Sequence, residues 1–195
     1  MEEKVSTIFN SLSTNGAINA SNMYLGNRVV QQKGVFMSDQ EFTMRVRSME
    51  RKLYRIAHAI LWSDADCADA IQEAVFKGWM KKGSLRDERY FETWLVRILI
   101  NECRSLIRRQ KFAPLPLDES VRAGGDEPGV DMHLRAALIQ LPEKYRTPLL
   151  LHHLEGYPLG EVARILKLTP QLVKSRLHQA RKLLRKNLNA GDESI

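Results

Sequence analysis

The chain has 195 residues and carries 30 Lys and Arg against 23 Asp and Glu, a formal net charge of +7. With an isoelectric point near 9.5 it is expected to meet a polyanion, nucleic acid first among them. No apolar run reaches the length of a membrane span and no signal-peptide succession opens the sequence, so direct membrane insertion is excluded and the cytoplasm is the expected compartment.

Residues 1–37 are rich in Ser, Asn, Gln and Gly without a firm apolar period, and read as a loose N-terminal extension. From Asp39 to Trp62 the apolar residues Phe42, Val46, Met49, Leu53, Ile56 and Ile60 recur at three and four, which predicts one amphipathic helix. Asp64 is a candidate N-cap for a second helix, DADCADAIQEAVFKGWMKK, with Ile71, Ala74, Val75, Gly78 and Trp79 on its buried side and Gly83-Ser84 at its end. On this helix Asp69 and Glu73 stand at i,i+4 with Gln72 beside them, a carboxylate face suited to a basic partner. Asp66, Asp69 and Glu73 have no histidine among them, which argues against a metal site. Cys67 and Cys103 lack a C-x-x-C neighbour and read as free thiols.

A short loop from Ser84 to Arg89 leads through Tyr90 into a third helix carrying Phe91, Trp94, Leu95, Ile98, Leu99 and Ile100. It ends in Arg104, Arg108, Arg109 and Lys111. Cations in a last turn favour the helix dipole by about 0.3–1 kcal/mol each, yet four in eight residues exceed what capping asks for. Rings beside cations suit an unpaired nucleic acid strand, whose bases stack while its backbone follows the charge. A core role competes strongly for Phe91 and Trp94, and for Trp94 core and base contact stand about level.

Residues 112–130, FAPLPLDESVRAGGDEPGV, hold three prolines, three glycines and four carboxylates with little apolar pattern. They read as a flexible linker that spans at most roughly 65 Å when stretched and about 25 Å as a coil. Beyond it Asp131 is expected to cap a helix running through Leu141, and Pro142-Glu143 to open another that carries Tyr145, Leu149, Leu150 and Leu154.

The stretch YPLGEVARILKLTPQLVKSRLHQARKLLRK then predicts a helix-turn-helix. Its first helix, about Pro158 to Leu166, buries Val162, Ala163, Ile165 and Leu166. Thr169 caps the second helix and Pro170 takes its first position. Val173, Leu177, Ala180 and Leu184 make the apolar stripe of that second helix. Lys174, His178, Arg181 and Arg185 make the opposite one, joined by Gln171, Ser175 and Lys182. Seven Lys or Arg and no Asp or Glu lie between Lys167 and Lys186, so pairing within the helix does not account for the charge, whereas DNA phosphates do. The expected fold is therefore all-α: a helical domain over 38–111, the linker over 112–130, a four-helix domain with the helix-turn-helix over 131–190, and a tail over 191–195.

In that order the chain resembles the extracytoplasmic-function group of bacterial sigma factors, within the sigma-seventy family, from about Asp39 to Leu188. DADCADAIQEAVFKGW is similar to the family's segment that docks on the clamp helices of RNA polymerase, FETWLVRILINECRSLIRR to the segment that recognises and opens the minus-ten element, and LPEKYRTPLLLHHLEGYPLGEVARILKLTPQLVKSRLHQARKLLRK to the domain that reads the minus-thirty-five element. The resemblance implies polymerase binding by Asp66, Asp69, Gln72 and Glu73. It implies minus-ten contacts by Ser84, Arg86, Phe91, Trp94, Asn101, Ser105 and Arg108, with the loop Ser84 to Arg89 capturing a flipped base. Minus-thirty-five contacts fall to Gln171, Lys174, Ser175, Arg176, His178, Gln179 and Arg181. Arg176 lies near the apolar edge, which favours packing or a phosphate contact for it, and Gln179 stands where many members carry a basic residue.

The function so implied is that of an alternative sigma factor. It binds core RNA polymerase, directs it to specific promoters and assists melting, as duplex and then as single strand, with no catalytic residue, no metal and no cofactor. Members often pair with a membrane-bound anti-sigma factor, which makes one a candidate partner. The alternative is a helix-turn-helix regulator that binds duplex DNA as a dimer, but such a protein needs neither DADCADAIQEAVF nor the aromatic and basic third helix.

Overall fold

The computed structural model describes residues 37–112 and 132–192, and the regular elements among them are all helices. The expected N-terminal extension up to residue 36, the linker from residue 113, the Asp131 cap and the last three residues lie outside the described residues. Met37, placed by sequence at the end of the extension, is buried in the core at 3% exposure.

Helix α1 (Asp39–Ser48) begins where the Ser38 hydroxyl accepts the Glu41 N–H at 3.1 Å, with Asp39 and Glu41 in the first turn facing the positive end of the helix dipole. The single helix expected through Trp62 breaks at Met49 (φ −99°, ψ −1°), and α2 (Glu50–Leu61) starts afresh. The break lets Phe42 and Val46 of α1 and Leu53, Ile56 and Ile60 of α2 all reach one core. Trp62 closes α2 in the left-handed conformation (φ 63°), its N–H bonded to the His58 carbonyl.

Helix α3 (Asp64–Lys81) is capped by Ser63 and not by Asp64. A cap residue must stand outside the helix in extended backbone. Ser63 does so (φ −116°, ψ 125°) and its hydroxyl accepts the Asp66 N–H, while Asp64 is already helical and its carboxylate accepts the Tyr54 hydroxyl at 2.6 Å. Cys67, Ala70, Ile71, Ala74 and Gly78 form its buried side, with Val75 and Trp79 half-buried. Single 3₁₀ turns at Lys82–Ser84 and Glu88–Tyr90 lead into α4 (Phe91–Phe112).

Helix α4 is the spine of the first half: Leu95, Val96, Leu99, Ile100 and Cys103 are fully buried. Its approach to α3 is close enough that a Cβ on Gly78 would meet Leu95 Cδ1 at 3.0 Å and Phe42 Cζ at 3.3 Å. The two buried thiols sit in this layer; burial pushes both up, Cys103 to about 12.

In the second half α5 (Met132–Ile139) stops two residues short of Leu141, and α6 (Glu143–Leu149) follows Pro142 as expected. Pro148 supplies no N–H to the preceding turn, and the chain runs on as a wide π-helical turn, Leu150–Leu154. The extra residue in that turn rotates Leu154 off the apolar stripe, leaving it 60% exposed. Gly156 (φ 74°) supplies the left-handed step that reverses the chain into α7 (Leu159–Leu166). Helix α8 (Pro170–Asp192) carries the chain two residues past the expected end of the domain at 190.

The two halves pack on each other and their buried residues form one continuous cluster. Arg55 of α2 makes a bidentate pair with Glu155 at 2.8 and 2.9 Å. Arg104 of α4 holds Glu143 of α6 at 3.0 Å. Arg146, buried in α6, donates to the carbonyls of Ile139 and Leu141 at the α5–α6 turn and lies 5.2 Å over the Trp62 ring.

Candidate functional site

The helix-turn-helix places its residues as the pattern predicts. Val162, Ala163, Ile165 and Leu166 are buried, and Lys167 turns the chain in the left-handed conformation (φ 55°). The Thr169 hydroxyl accepts the Leu172 N–H at 3.2 Å, and Pro170 opens α8. Val173, Leu177 and Ala180 then anchor α8 with at most 3% exposure. That anchoring aims the opposite stripe outward: Gln171, Lys174, Ser175, His178, Gln179 and Arg181 are all exposed, and Arg176 is half-buried at the stripe's edge. Among the described residues Lys174, Arg181, Lys182 and Arg185 form no ion pair. A helix edge with uncompensated cations and free hydrogen-bonding groups can lie in a DNA groove and grip phosphates.

On α3, Asp69, Gln72 and Glu73 are exposed and lie together along a groove of ≈ 400 Å³ shared with Phe76, Glu102, Leu106 and Arg109. Lys77 bridges Glu102 at 2.7 Å and Glu73 at 2.9 Å; these hydrogen bonds raise its pKa and keep it charged. Asp66 is separate from the groove and accepts the Gln110 amide at 2.9 Å. Phe76 (46% exposed) and Met80 (51%) extend the face with apolar surface that sequence reading did not single out. The signal was available: Gln72, Phe76 and Met80 follow at i, i+4, i+8, which puts two large apolar residues on a face otherwise polar.

The loop before α4 is pinned at several points. Leu85 is buried at 4% exposure, and the Asp87 carboxylate accepts the Arg89 N–H at 3.0 Å. Hydrogen bonds from Arg89 hold the Asp87 carboxyl below its ordinary range. Arg45 of α1 donates to the Glu88 carbonyl and carboxylate, while Asp39 accepts the Trp79 indole N–H and pairs with Lys82. Ser84 and Arg86 stay exposed at the rim. Along α4, Asn101 and Arg108 are exposed, and Ser105 and Trp94 half-buried, on one stripe at three- and four-residue spacing.

Phe91 does not belong to that surface. It is 3% exposed, packed edge-on to Phe42 with ring centroids 5.6 Å apart, so its faces are closed to a base and its role is to support the loop. The basic end of α4 also divides. Arg104 is taken by Glu143, and Arg108 and Arg109 are both exposed without an ion pair among the described residues, Arg109 on the side of the α3 groove. Tyr90, which sequence reading passed over, is 42% exposed with the Arg164 guanidinium 4.9 Å above its ring.

Two family models match the chain: sigma-70 region 2 over residues 45–113 and sigma-70 region 4 over residues 132–184. The ECF RNA polymerase sigma factor SigM of Mycobacterium tuberculosis is 30% identical over 143 residues, covering 72% of this chain and 73% of SigM. RNA polymerase sigma factor SigV of Bacillus subtilis is 29% identical over 148 residues, covering 74% of this chain and 89% of SigV. In fold, the chain is similar to the sigma factor RpoE from Bartonella quintana, solved in complex with the anti-sigma factor NepR (TM-score 0.67, 24% identity, 77% of this chain and 98% of that one). It is also similar in fold to CnrH in complex with the cytosolic domain of CnrY (TM-score 0.60, 23% identity, 78% and 90%).

Proposed function

The chain belongs to the extracytoplasmic-function sigma factors of the sigma-70 family, and from that membership we propose how its surfaces divide the work of initiation. As an alternative sigma factor it binds core RNA polymerase and directs it to promoters. In our reading Asp69, Gln72 and Glu73 meet a basic surface of core polymerase, with Phe76 and Met80 adding apolar contact. The α8 residues Lys174, His178 and Arg181, flanked by Gln171, Ser175, Arg176 and Gln179, read and grip the minus-thirty-five duplex. Asn101, Ser105, Arg108 and Trp94 with the Ser84 to Arg89 loop receive the melted minus-ten strand. Extracting one base costs a few kcal/mol, which a pinned loop and a cationic rim offset by binding alone, so this reading assigns no catalytic group. Its place of action is the cytoplasm; among the described residues no helix is long and apolar enough to cross a membrane.

One observation supports this division most directly: α8 carries uncompensated cations while α3 of the same chain carries a carboxylate face, so one protein offers separate surfaces to DNA and to a basic protein. By extension from RpoE bound to NepR and CnrH bound to the cytosolic domain of CnrY, an anti-sigma factor, perched at a membrane in the form the family often uses, is a further partner. The test is run-off transcription from a pool of promoter templates by core polymerase with and without the purified chain. Promoter-specific transcripts that require the chain support the reading; transcripts identical to those of core alone refute it.

A further inference from the structure

We propose that α8 recognises an adenine of the minus-thirty-five element through the Gln179 carboxamide, and a thymine methyl group about three base pairs away through Leu172. The inference rests on the sigma-factor reading above and names the bases to which that reader responds. The polar face of α8 has two unlike flanks. Gln171, Lys174, His178 and Arg181 follow at i, i+3, i+7 and i+10 along one of them, which is cationic. Leu172, Ser175 and Gln179 follow at i, i+3 and i+7 along the other, and none of them is charged. Ser175 and Gln179 are exposed, and Leu172 is 42% exposed although Val173, next to it in the chain, is fully buried. Half-buried Arg176 marks the inner edge of this second flank. Among the described residues neither the Gln179 amide nor the Ser175 hydroxyl is engaged in a hydrogen bond. A cationic flank is drawn to phosphates whatever the sequence, whereas an uncharged flank gains most from matching the base edges on the floor of a groove.

The chemistry of each side chain selects its base. In the major groove guanine presents two acceptors, N7 and O6, whereas adenine presents the acceptor N7 beside a donor, its N6 amino group. A carboxamide carries an acceptor and donors on one planar group, so Gln179 satisfies both positions of adenine at once. Set against guanine, its carbonyl oxygen faces a second acceptor and one of the two hydrogen bonds is lost. Gln171 is the same kind of side chain, but it stands in the first turn on the cationic flank, beside the groups that grip phosphates. Leu172 neither donates nor accepts, and its exposed surface is costly in water unless a partner covers it with apolar surface. The 5-methyl group of thymine is the apolar feature that a major groove displays. Seven positions separate Leu172 from Gln179. At about 1.5 Å each they span roughly 10 Å of helix, which matches about three base pairs at about 3.4 Å when the helix runs along the groove. Ser175, between the two, donates to or accepts from any base edge and adds contact without a preference.

The experiment starts from a promoter that the full chain transcribes with core polymerase, randomises its minus-thirty-five element, and sequences the duplexes that the complex retains. The parent is expected to enrich adenine over guanine at one position by roughly tenfold. Gln179→Arg, which replaces the mixed amide by donors alone, is expected to move that preference to guanine at the same position and to leave the other positions as they were. Enrichment within one pool is a ratio, so the general gain in affinity from the added charge cancels. Thymine is expected at a second position, about three pairs from the first. Exchange of that thymine for uracil, which removes only the methyl group, should weaken binding of the parent by roughly threefold to fourfold and leave Leu172→Ala unaffected. An adenine preference that persists in Gln179→Arg, or a parent that enriches another base, overturns the assignment of Gln179. A uracil effect of the same size in the parent and in Leu172→Ala overturns that of Leu172. Both results leave the sigma-factor reading intact, because the promoter is still transcribed. If no promoter yields a transcript that requires the chain, the sigma-factor reading is refuted and the base assignments fall with it.

Discussion

The Tyr157 hydroxyl donates to the Glu92 carboxylate at 2.6 Å, joining the turn before α7 to the first turn of α4 across 65 positions. Burial alone would raise the Glu92 pKa, but the hydrogen bonds from Lys52 and Tyr157 and the lysine charge outweigh it, and the carboxyl lies below its ordinary value. Burial, and then the hydrogen bond to Glu92, push the tyrosine up, so it remains a donor at every ordinary pH.

Because Glu92 is depressed in the folded chain, its stabilisation is present above the ordinary carboxylate value of 4.5 and is lost as pH falls through the folded value. Tyr157→Phe is expected to cost about 1–2 kcal/mol near neutrality, at the low end for a hydrogen bond to a charged group because Glu92 is partly solvated. It should also flatten the acid limb of the stability profile. Urea unfolding of both proteins between pH 3 and pH 7 is the check, and parallel profiles would show that the bond contributes nothing.

Gly78 tests the close approach of α3 to α4. A Cβ there meets Leu95 Cδ1 at 3.0 Å, and a branched side chain adds atoms where the core has no room. Gly78→Val is expected to lose about 1–3 kcal/mol by overpacking, more than the helix-propensity gain of about 0.5 kcal/mol on replacing glycine returns. A midpoint of thermal unfolding at or above that of the parent would contradict the packing described.

What was legible in the sequence follows a physical division. The helix-turn-helix could be read because its signals are local: the apolar spacing that buries Val173 and Leu177, and the hydroxyl of Thr169 beside Pro170. Local signals also misled where two residues compete for one task. Asp64 and Ser63 are both good caps, and only the backbone decides that serine stands outside the helix. The break at Met49 was hidden because apolar spacing continues through it, and Leu154 fitted a helical stripe until the π-helical turn rotated it away. Contacts between the halves, such as Arg55 with Glu155 a hundred positions on, leave no periodic trace at all. Phe91 shows the same limit within a site: an aromatic residue beside a basic stretch reads as a stacking surface until Phe42 is seen against it.

The docking face gives a prediction in which charge and fold separate cleanly. Asp69 and Glu73 are exposed and line one groove. Asp69→Lys with Glu73→Lys reverses the sign of that face with little internal cost, apart from the half-exposed pair between Glu73 and Lys77. Binding to core polymerase is expected to be lost while the helical circular dichroism spectrum and duplex binding are kept. A pull-down in which the double variant retains core polymerase as well as the parent would remove these residues from the docking surface.

Helix α8 allows base reading and phosphate gripping to be told apart by measurement. Lys174 and His178 are exposed on its outer stripe in the N-terminal half, the part of such a helix that enters the major groove, and Arg181 follows one turn later. Loss of a base-reading side chain should cost roughly 1–3 kcal/mol on the cognate site and relax preference at one position. Loss of a phosphate contact weakens all sequences alike and lowers the slope of log affinity against log salt by about one. His178→Ala is expected to behave in the first way and Arg181→Ala in the second. Arg181 also donates to the Leu177 carbonyl at 3.3 Å through Nε, a bond that does not use its two Nη groups. The measurement is binding of the full chain with core polymerase to a cognate promoter and to templates scrambled only at the minus-thirty-five element, over a series of salt concentrations. Equal losses for His178→Ala on both templates would make it a packing or phosphate residue, and an Arg181→Ala variant with an unchanged salt slope would show that its charge never reaches the DNA.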